Sequence, residues 1–440
     1  MSQPPSIFET DGIRSVPMTA PPSLYGKRTS AGSSQARQRR LKSARLVGKY
    51  EKPWIEASPY KNRERWDKLI LWGCILIGFG IGIALCVLKY LQIPRNQYCL
   101  VMDDEFENLD NWSHEVEIGG FGSNSFEWTT DDPLNSYVAD DGLHIKPTLT
   151  LDTTNITLDE LLNGYTLNLT ADGTCTSNDT TSTDCVRTSN ATTTTIINPV
   201  RSARITTQGK KTIRYGRVEV VAKIPAGQWL WPAIWMMPEN SVYGVWPRSG
   251  EIDLMEARGN DPTTYPLGAN TIYSTIHWGL DYFTDQSKKT ASWYTRQRGA
   301  YSSGFHTYGL EWTPKYLFIY IDNKLLQSLT VKFGPKTMWE RSGLEAAGNS
   351  SKDPWSYQGS SVSTPFDQDF YLILNVAVGT TNGFFADSVG GKPWVDRGSP
   401  AAMMDFWKAN ATWYPTWDPE GMIVKSAKMW QLGSCSSPEL

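Results

Sequence analysis

Three acids stand close together in the stretch Gly244 to Asn260, GVWPRSGEIDLMEARGN: Glu251, Asp253 and Glu256. On a β-strand, side chains alternate between faces, so Glu251 and Asp253 point the same way and Ile252 points into the opposite layer. Glu256 falls out of phase, and a β-bulge at Leu254 and Met255 would return it to the face of the other two. Carboxylates on one face repel one another and gain nothing as structure, so the grouping calls for a chemical use. Cleavage of a glycosidic bond supplies that use. It needs one carboxylate at the anomeric carbon and one carboxylic acid to protonate the departing oxygen. Two acids projecting from one bulged strand should lie ~5 to 5.5 Å apart, the spacing of a double displacement that retains anomeric configuration. In that reading Glu251 is the nucleophile. Glu256 is the general acid and base, kept protonated by burial and mutual repulsion, and Asp253 hydrogen-bonds the nucleophile and sets its charge. Taken alone, E-x-D-x-x-E is a weak signal, and a solvated acidic edge strand is the plain alternative. Here the acids follow Trp246, Pro247 and Gly250 in a region poor in other charge.

The surrounding chain reads as strands. Beyond Tyr98, short alternating or β-branched runs recur between Gly, Pro, Asn and Asp turns: YGRVEVVAKIP, LWPAIWMMP, GEIDLMEA, TIYSTIHWG, HTYGLEWTP, YLFIYIDNKLL, FYLILNVAVG and MIVKSAKMWQL. The pattern is all-β, and a sandwich of two antiparallel sheets is the economical way to bury so many half-apolar strands. Residues 98–440 form this domain in our reading. Within it, 152–195 is rich in Thr and Asn and reads as a glycosylated surface excursion. The 19 Trp of the chain serve mainly as packing, and a minority could stack on sugar rings.

Ahead of the domain, Leu69 to Leu88 (LILWGCILIGFGIGIALCVL) holds no charge between Lys68 and Lys89, and it is long enough to cross a bilayer core of about 30 Å. Residues 69–93 are read as a single transmembrane helix and 1–68 as a disordered basic tail. The tail carries a formal excess of +8, leaving −11 for the rest of a chain whose net charge is −3. Lys and Arg resist translocation, so the N-terminus is expected in the cytosol, making the chain a single-pass type II membrane protein with its domain in the secretory lumen or at the cell surface. The basic run from Arg37 to Lys49 is a solvated flank, a sorting signal or a contact with anionic lipid. The acidic domain gives no support for nucleic-acid binding.

Sequons at Asn111, Asn155, Asn168, Asn178, Asn190, Asn349 and Asn410 all follow the apolar span, as expected of an exported region. With Cys74 and Cys86 inside the span, Cys99, Cys175, Cys185 and Cys435 remain. Of their possible pairings, Cys175 with Cys185 and Cys99 with Cys435 is favoured, because the second ties the domain's ends together. No cofactor is expected. The Cys and His spacing makes no zinc motif, and no compact ligand motif demands calcium.

The string WPRSGEIDLME, with YGRVEVVAKIPAGQWLWPAIWMMP before it and STIHWG and FYLILNVAVGTTNGFF after it, resembles glycoside hydrolase family 16, most of all its laminarinase and beta-1,3-glucan-recognition branch. The likeness begins at DDEFENLDNW and continues to MWQLG, through some three quarters of the chain. It implies a concanavalin A-like jelly roll with a cleft on the concave sheet. Residue by residue, it implies Glu251 as nucleophile, Glu256 as acid and base, and Asp253 as the assisting aspartate of a bulged motif. Trp246 matches an aromatic near the cleavage point, His277 the histidine of the following strand, and Trp231 and Arg248 positions near the cleft. His277 also reads as a hydrogen-bonded core histidine, and Trp231 as packing. Thr380 stands where a second Gly is usual, and IVKSAKMW departs from the usual last strand. The anchor resembles that of fungal wall-assembly proteins of the same family.

The implied activity is endo-hydrolysis of beta-1,3 or mixed 1,3/1,4 glucan in wall remodelling. Two alternatives stand beside it: a transglycosylase that passes the same intermediate to a sugar, and a non-catalytic beta-glucan-binding receptor.

Overall fold

The computed structural model describes residues 61–91 and 95–435, apart from 179–182, 346–351, 357–358 and 397–400, together with positions 47, 48, 51 and 53. It divides into two compact units, a helical segment up to Arg95 and a large domain from Asn96. Most of the expected tail, and the sequon at Asn349, lie outside the described residues.

Helix α1 spans Lys61–Leu91, has no buried residue within its unit, and is long and apolar enough to cross a membrane. It begins eight residues before the predicted span, in the part read as tail. The cause is local: KNRERWDK is made largely of good helix formers, and Glu64 and Lys68 pair at 2.8 Å across one turn. Its last residue precedes Pro94 by three, where a proline would clash with the preceding turn.

The large domain is built from two eight-stranded antiparallel sheets. Four strands carry the site: β1 (Leu230–Pro238), β2 (Glu251–Ala257), β3 (Thr271–His277) and β4 (Phe370–Val378). The site sheet runs from edge strand Ala291–Thr295 through β3, β2, β1 and β4 to Arg204–Thr206 and Ser113–His114, with Thr212–Ile213 also paired to β4. The second sheet is ordered Gln327–Lys332, Tyr316–Ile321, His306–Trp312, Gly216–Lys223, Met422–Leu432, Gly142–Ile145 and Ser136–Ala139, with Tyr98–Asp104 paired to Met422–Leu432. Every apolar run singled out in the sequence contains one of these strands.

Gly216–Lys223 shows why the sheets stack: buried and half-buried positions alternate along its whole length. Ile234, Met236, Ile252, Ile276, Leu310, Ile319, Leu372 and Leu374 meet in the core and are 0% exposed. Each such side chain contributes about 1.5 to 3 kcal/mol by leaving water. Trp229, Trp278, Trp312, Trp355, Trp394 and Trp413 are also fully buried, in keeping with packing as the main use of Trp here.

The stretch 152–195 is less of an excursion than its composition suggested. Ile156, Leu161, Leu167 and Leu169 are buried and belong to the main core. A capped turn of helix, Leu158–Leu162, and a hairpin of Thr166–Asn168 with Val186–Thr188 present those residues inward. Sparse apolar positions in a Thr-rich stretch were enough to anchor it. Disulfides join Cys175 to Cys185 and Cys99 to Cys435, as favoured from sequence.

Candidate active site

The arrangement begins with the burial pattern of β2. Ile252, Leu254 and Met255 are all 0% exposed, so the strand places two consecutive apolar residues in the core. Regular alternation forbids that. The register shows how it is done: Asp253 faces Thr275 and Glu256 faces Tyr273 on β3, so Leu254 and Met255 together oppose the single residue Ser274. On the other side, Met255 faces Ile234 and Asp253 faces Trp235, the next residue of β1, so that Leu254 is skipped. This is the bulge predicted from the phase of the acids. Glu251, Asp253 and Glu256 therefore share the face turned away from the second sheet.

Paired residues of antiparallel strands share a face, so the register also names the neighbours. His277 lies opposite Glu251. Ala233, small, lies opposite Glu256, and Trp235 opposite Asp253.

Each glutamate accepts a hydrogen bond from an indole. Trp246 Nε1 donates to Glu251 Oε2, and Trp231 Nε1 donates to Glu256 Oε1 at 3.0 Å. The Trp231 ring is held in turn: it stacks on Phe384 at 4.1 Å. The Arg258 guanidinium lies over Phe384 and donates through Nε to its carbonyl at 2.8 Å. Arg258 Nη1 also donates to the Tyr273 hydroxyl at 2.5 Å.

Glu256 is pushed up to about 7, chiefly because burial disfavours its charge; Glu251's carboxylate adds to the rise, while His277 and the Trp231 donor oppose it. Asp253, 2% exposed, is held well above the ordinary carboxylate range by burial and then by Glu251's charge. Its Oδ2 has no hydrogen-bond partner within the protein; His277 Nε2, 3.4 Å away, is its nearest cationic neighbour. For His277, burial works against the charge, but Glu251, Asp253 and Asp285 outweigh it and raise its pKa well above the usual imidazole range. Asp285 is the firm anchor, accepting from His277 Nδ1 at 2.7 Å. Its oxygens also accept from the Trp278 and Ser287 amides and the Ser287 hydroxyl. Burial would raise Asp285, but the imidazolium lowers it.

Glu251, Asp253 and His277 offer donor atoms within 4.8 Å of one another, close enough to surround a small cation. His277 Nδ1 is committed to Asp285, which leaves Nε2 as the ring nitrogen that faces Asp253.

Arg248 is one of the residues that the resemblance puts near the cleft. Its Nε and Nη2 both donate to the Leu280 carbonyl, at 3.1 and 3.0 Å. That ties the Trp246 loop to the loop bearing Tyr282 and Phe283, which are 60% and 78% exposed. Thr380, the departure noted in the sequence, is fully buried, donates to the Ser123 carbonyl at 2.5 Å, and accepts at its own carbonyl from Trp394.

Sequence reasoning missed Asp285, Trp235, Phe384 and Arg258 as parts of this face. It also missed Trp293, 57% exposed on the edge strand opposite Tyr273. Phe384 and Arg258 were in quoted motifs without an assigned part; nothing local marks Asp285.

Residues 172–352 match the family model described as Glycosyl hydrolases family 16. The chain is 39% identical to a beta-1,3-glucan-binding protein of Penaeus monodon, over 76% of this chain and 91% of that one. It is 29% identical to a glucan endo-1,3-beta-glucosidase of Cryptopygus antarcticus, over 70% of this chain and 88% of that one. Among solved structures, the laminarinase from Rhodothermus marinus aligns with 78% of this chain and 100% of its own, at 22% identity and a TM-score of 0.46.

Proposed function

We propose, from the premise that this chain belongs to glycosyl hydrolases family 16, that it is a retaining glycosidase acting within beta-1,3 or mixed 1,3/1,4 glucan. The observation that carries the reading is the pair of glutamates on one face of a bulged strand, with Glu256 pushed up to about 7. A group poised there gives and takes protons near neutrality.

In the first step the Glu251 carboxylate attacks the anomeric carbon while Glu256 gives its proton to the departing glycosidic oxygen. The result is a glycosyl ester on Glu251 and an ionised Glu256. In the second step Glu256 takes a proton from water, whose oxygen attacks the same carbon and frees Glu251. Two inversions leave the configuration as it began. His277 and Asp253 hold a proton and a positive charge beside the nucleophile. Trp246 and Trp231 fix the two carboxylates in place.

Relatives named for glucan binding and for glucan hydrolysis both resemble this chain. The presence of both glutamates, each with an indole donor, favours turnover over binding alone. Transfer to a sugar acceptor uses the same intermediate. The test is incubation of the full chain with laminarin: hydrolysis gives new reducing ends, transfer gives longer chains, and binding alone gives neither. If the wild type and Glu251→Gln leave a panel of beta-glucans equally unchanged, the catalytic reading fails.

For the rest of the chain, α1 is proposed as a single-pass type II anchor, with residues 1–68 cytosolic and 98–440 lumenal or extracellular. The apolar helix, the basic excess before it and the sequons after it support that placement. The anchor favours work on the cell's own wall.

A further inference from the structure

We propose that Glu251, Asp253 and His277 form a binding site for a zinc-like transition-metal dication, and that the bound metal inhibits catalysis by engaging the nucleophile. The inhibition rests on the glucanase reading above; the metal site does not.

Two carboxylates and an imidazole suit zinc and its neighbours, whereas calcium and magnesium are served by oxygen ligands. The three donor atoms lie within 4.8 Å of one another. Asp253 Oδ2 and His277 Nε2 stand 3.4 Å apart. Two ligands of a tetrahedral zinc, each ~2.1 Å from the ion, are themselves about 3.4 Å apart, so this edge of the site already has its bound length. Even with the other two edges at their outer limit, roughly 0.7 Å of closure per ligand completes the set. Glu251 accepts the Trp246 indole at Oε2, and its other oxygen can turn to the metal.

Two observations besides the clustering point to a ligand. Asp253 is 2% exposed, and its Oδ2, which faces His277, has no hydrogen-bond partner among the described residues. A buried acceptor in that state keeps its desolvation cost until something binds it. The other observation lies behind His277. Its Nδ1 donates to Asp285 at 2.7 Å, and Asp285 is held in turn by the Trp278 and Ser287 amides and the Ser287 hydroxyl. A histidine that ligates zinc almost always gives its second N–H to a carboxylate, carbonyl or water, which fixes the ring and raises the basicity of the ligating nitrogen. His277 presents Nε2 in that way.

On binding, the metal accepts lone pairs from Glu251, Asp253 and His277 Nε2, and the proton that His277 and Asp253 hold passes to solvent. Water takes the fourth position. Two carboxylates and one dication leave the cluster without net charge, and the Glu251 oxygen that would attack the anomeric carbon is engaged.

The full chain carrying Cys74→Ser and Cys86→Ser, which removes its free thiols, is stripped with chelator and titrated in detergent with Co2+, whose visible absorption intensifies in a tetrahedral site. One equivalent is expected to bind, and Zn2+ to displace it. His277→Gln should weaken Co2+ binding at least a hundredfold, and Asp285→Asn roughly 10- to 100-fold. The Asn variant keeps all three ligands, so it answers for a His277 variant that folds poorly. Of the chain's four His, His114, His144 and His306 should each be replaceable by Gln without change. Absence of a tetrahedral spectrum, or affinity that survives both His277→Gln and Asp285→Asn, overturns the site. Zn2+ should inhibit laminarin hydrolysis with an inhibition constant within twofold of its dissociation constant, and binding without inhibition overturns the inhibitory role. If laminarin is left intact with the metal removed, the glucanase reading fails and the inhibition with it, while the Co2+ titration still decides the site.

Discussion

Replacing Trp231 by Phe isolates one bond. The ring keeps its stack on Phe384 but loses the N–H that reaches Glu256 Oε1 at 3.0 Å. That donor favours the ionised carboxylate, so its loss must raise a pKa that already stands at about 7. A hydrogen bond to a charged acceptor is worth about 1.5 to 3 kcal/mol net. At 1.36 kcal/mol per pKa unit that is ~1 to 2 units. Glu256 is only half-buried by its accessible surface, and water will replace part of the lost donor, so the lower end applies. Attack by Glu251 requires Glu256 protonated, and the alkaline limb of kcat/KM should therefore move up by about one pH unit. Release of the glycosyl ester requires Glu256 ionised, so that step should slow below neutrality, with a burst of the first product. The assay is kcat/KM for an aryl laminaribioside across the pH range, with pre-steady-state kinetics on the acid side. An alkaline limb that stays in place, in a variant that folds normally, refutes the assignment of Glu256 as the acid.

Asp285→Asn should destabilise the domain in a pH-dependent way. A raised His277 contributes stability that is full below the unfolded imidazole value of ~6.5 and lost as pH rises through its folded value; a lowered Asp285 contributes above ~3.9. The loss should thus be about 1.5 to 3 kcal/mol in urea unfolding at pH 5.5 and smaller at pH 10, and equal losses at both would dismiss the pairing. Proton NMR of laminari-oligosaccharide digestion should show the β anomer first, with the α anomer appearing by mutarotation; α first would exclude a double displacement. Replacing Cys99 and Cys435 by Ser opens a link across 336 positions, and should lower stability by about 2 to 5 kcal/mol in urea titration. An unchanged midpoint would mean that the strand pairing of Tyr98–Asp104 with Met422–Leu432 suffices to hold the ends.

What could be read in advance was what the chain encodes locally. Glu251, Asp253 and the two apolar residues before Glu256 fix a phase problem with one simple answer, and the bulge is where that answer puts it. The eight apolar runs likewise carry their own periodicity. The supports of the site were not legible for the opposite reason. Asp285 is one acid in a turn of polar residues, and only the fold of that turn brings it to His277. Phe384 meets both Trp231 and Arg258 only because the fold brings together positions more than a hundred residues apart. The packing of 152–195 was hidden by its composition, since four apolar side chains in a field of Thr and Asn are easily taken for noise.

The bulge of β2 means that the spacing of the acids along the chain is not what the chemistry reads. A sheet sorts residues by parity, and a bulge subtracts one from the count, so a separation of five behaves as a separation of four. Removing Leu254 would leave E-I-D-M-E, in which all three acids fall on one face of a flat strand at the loss of one core side chain. The two spacings are thus neighbouring spellings of a single site, one codon apart, and a search that insists on either alone would pass over chains that build it with the other.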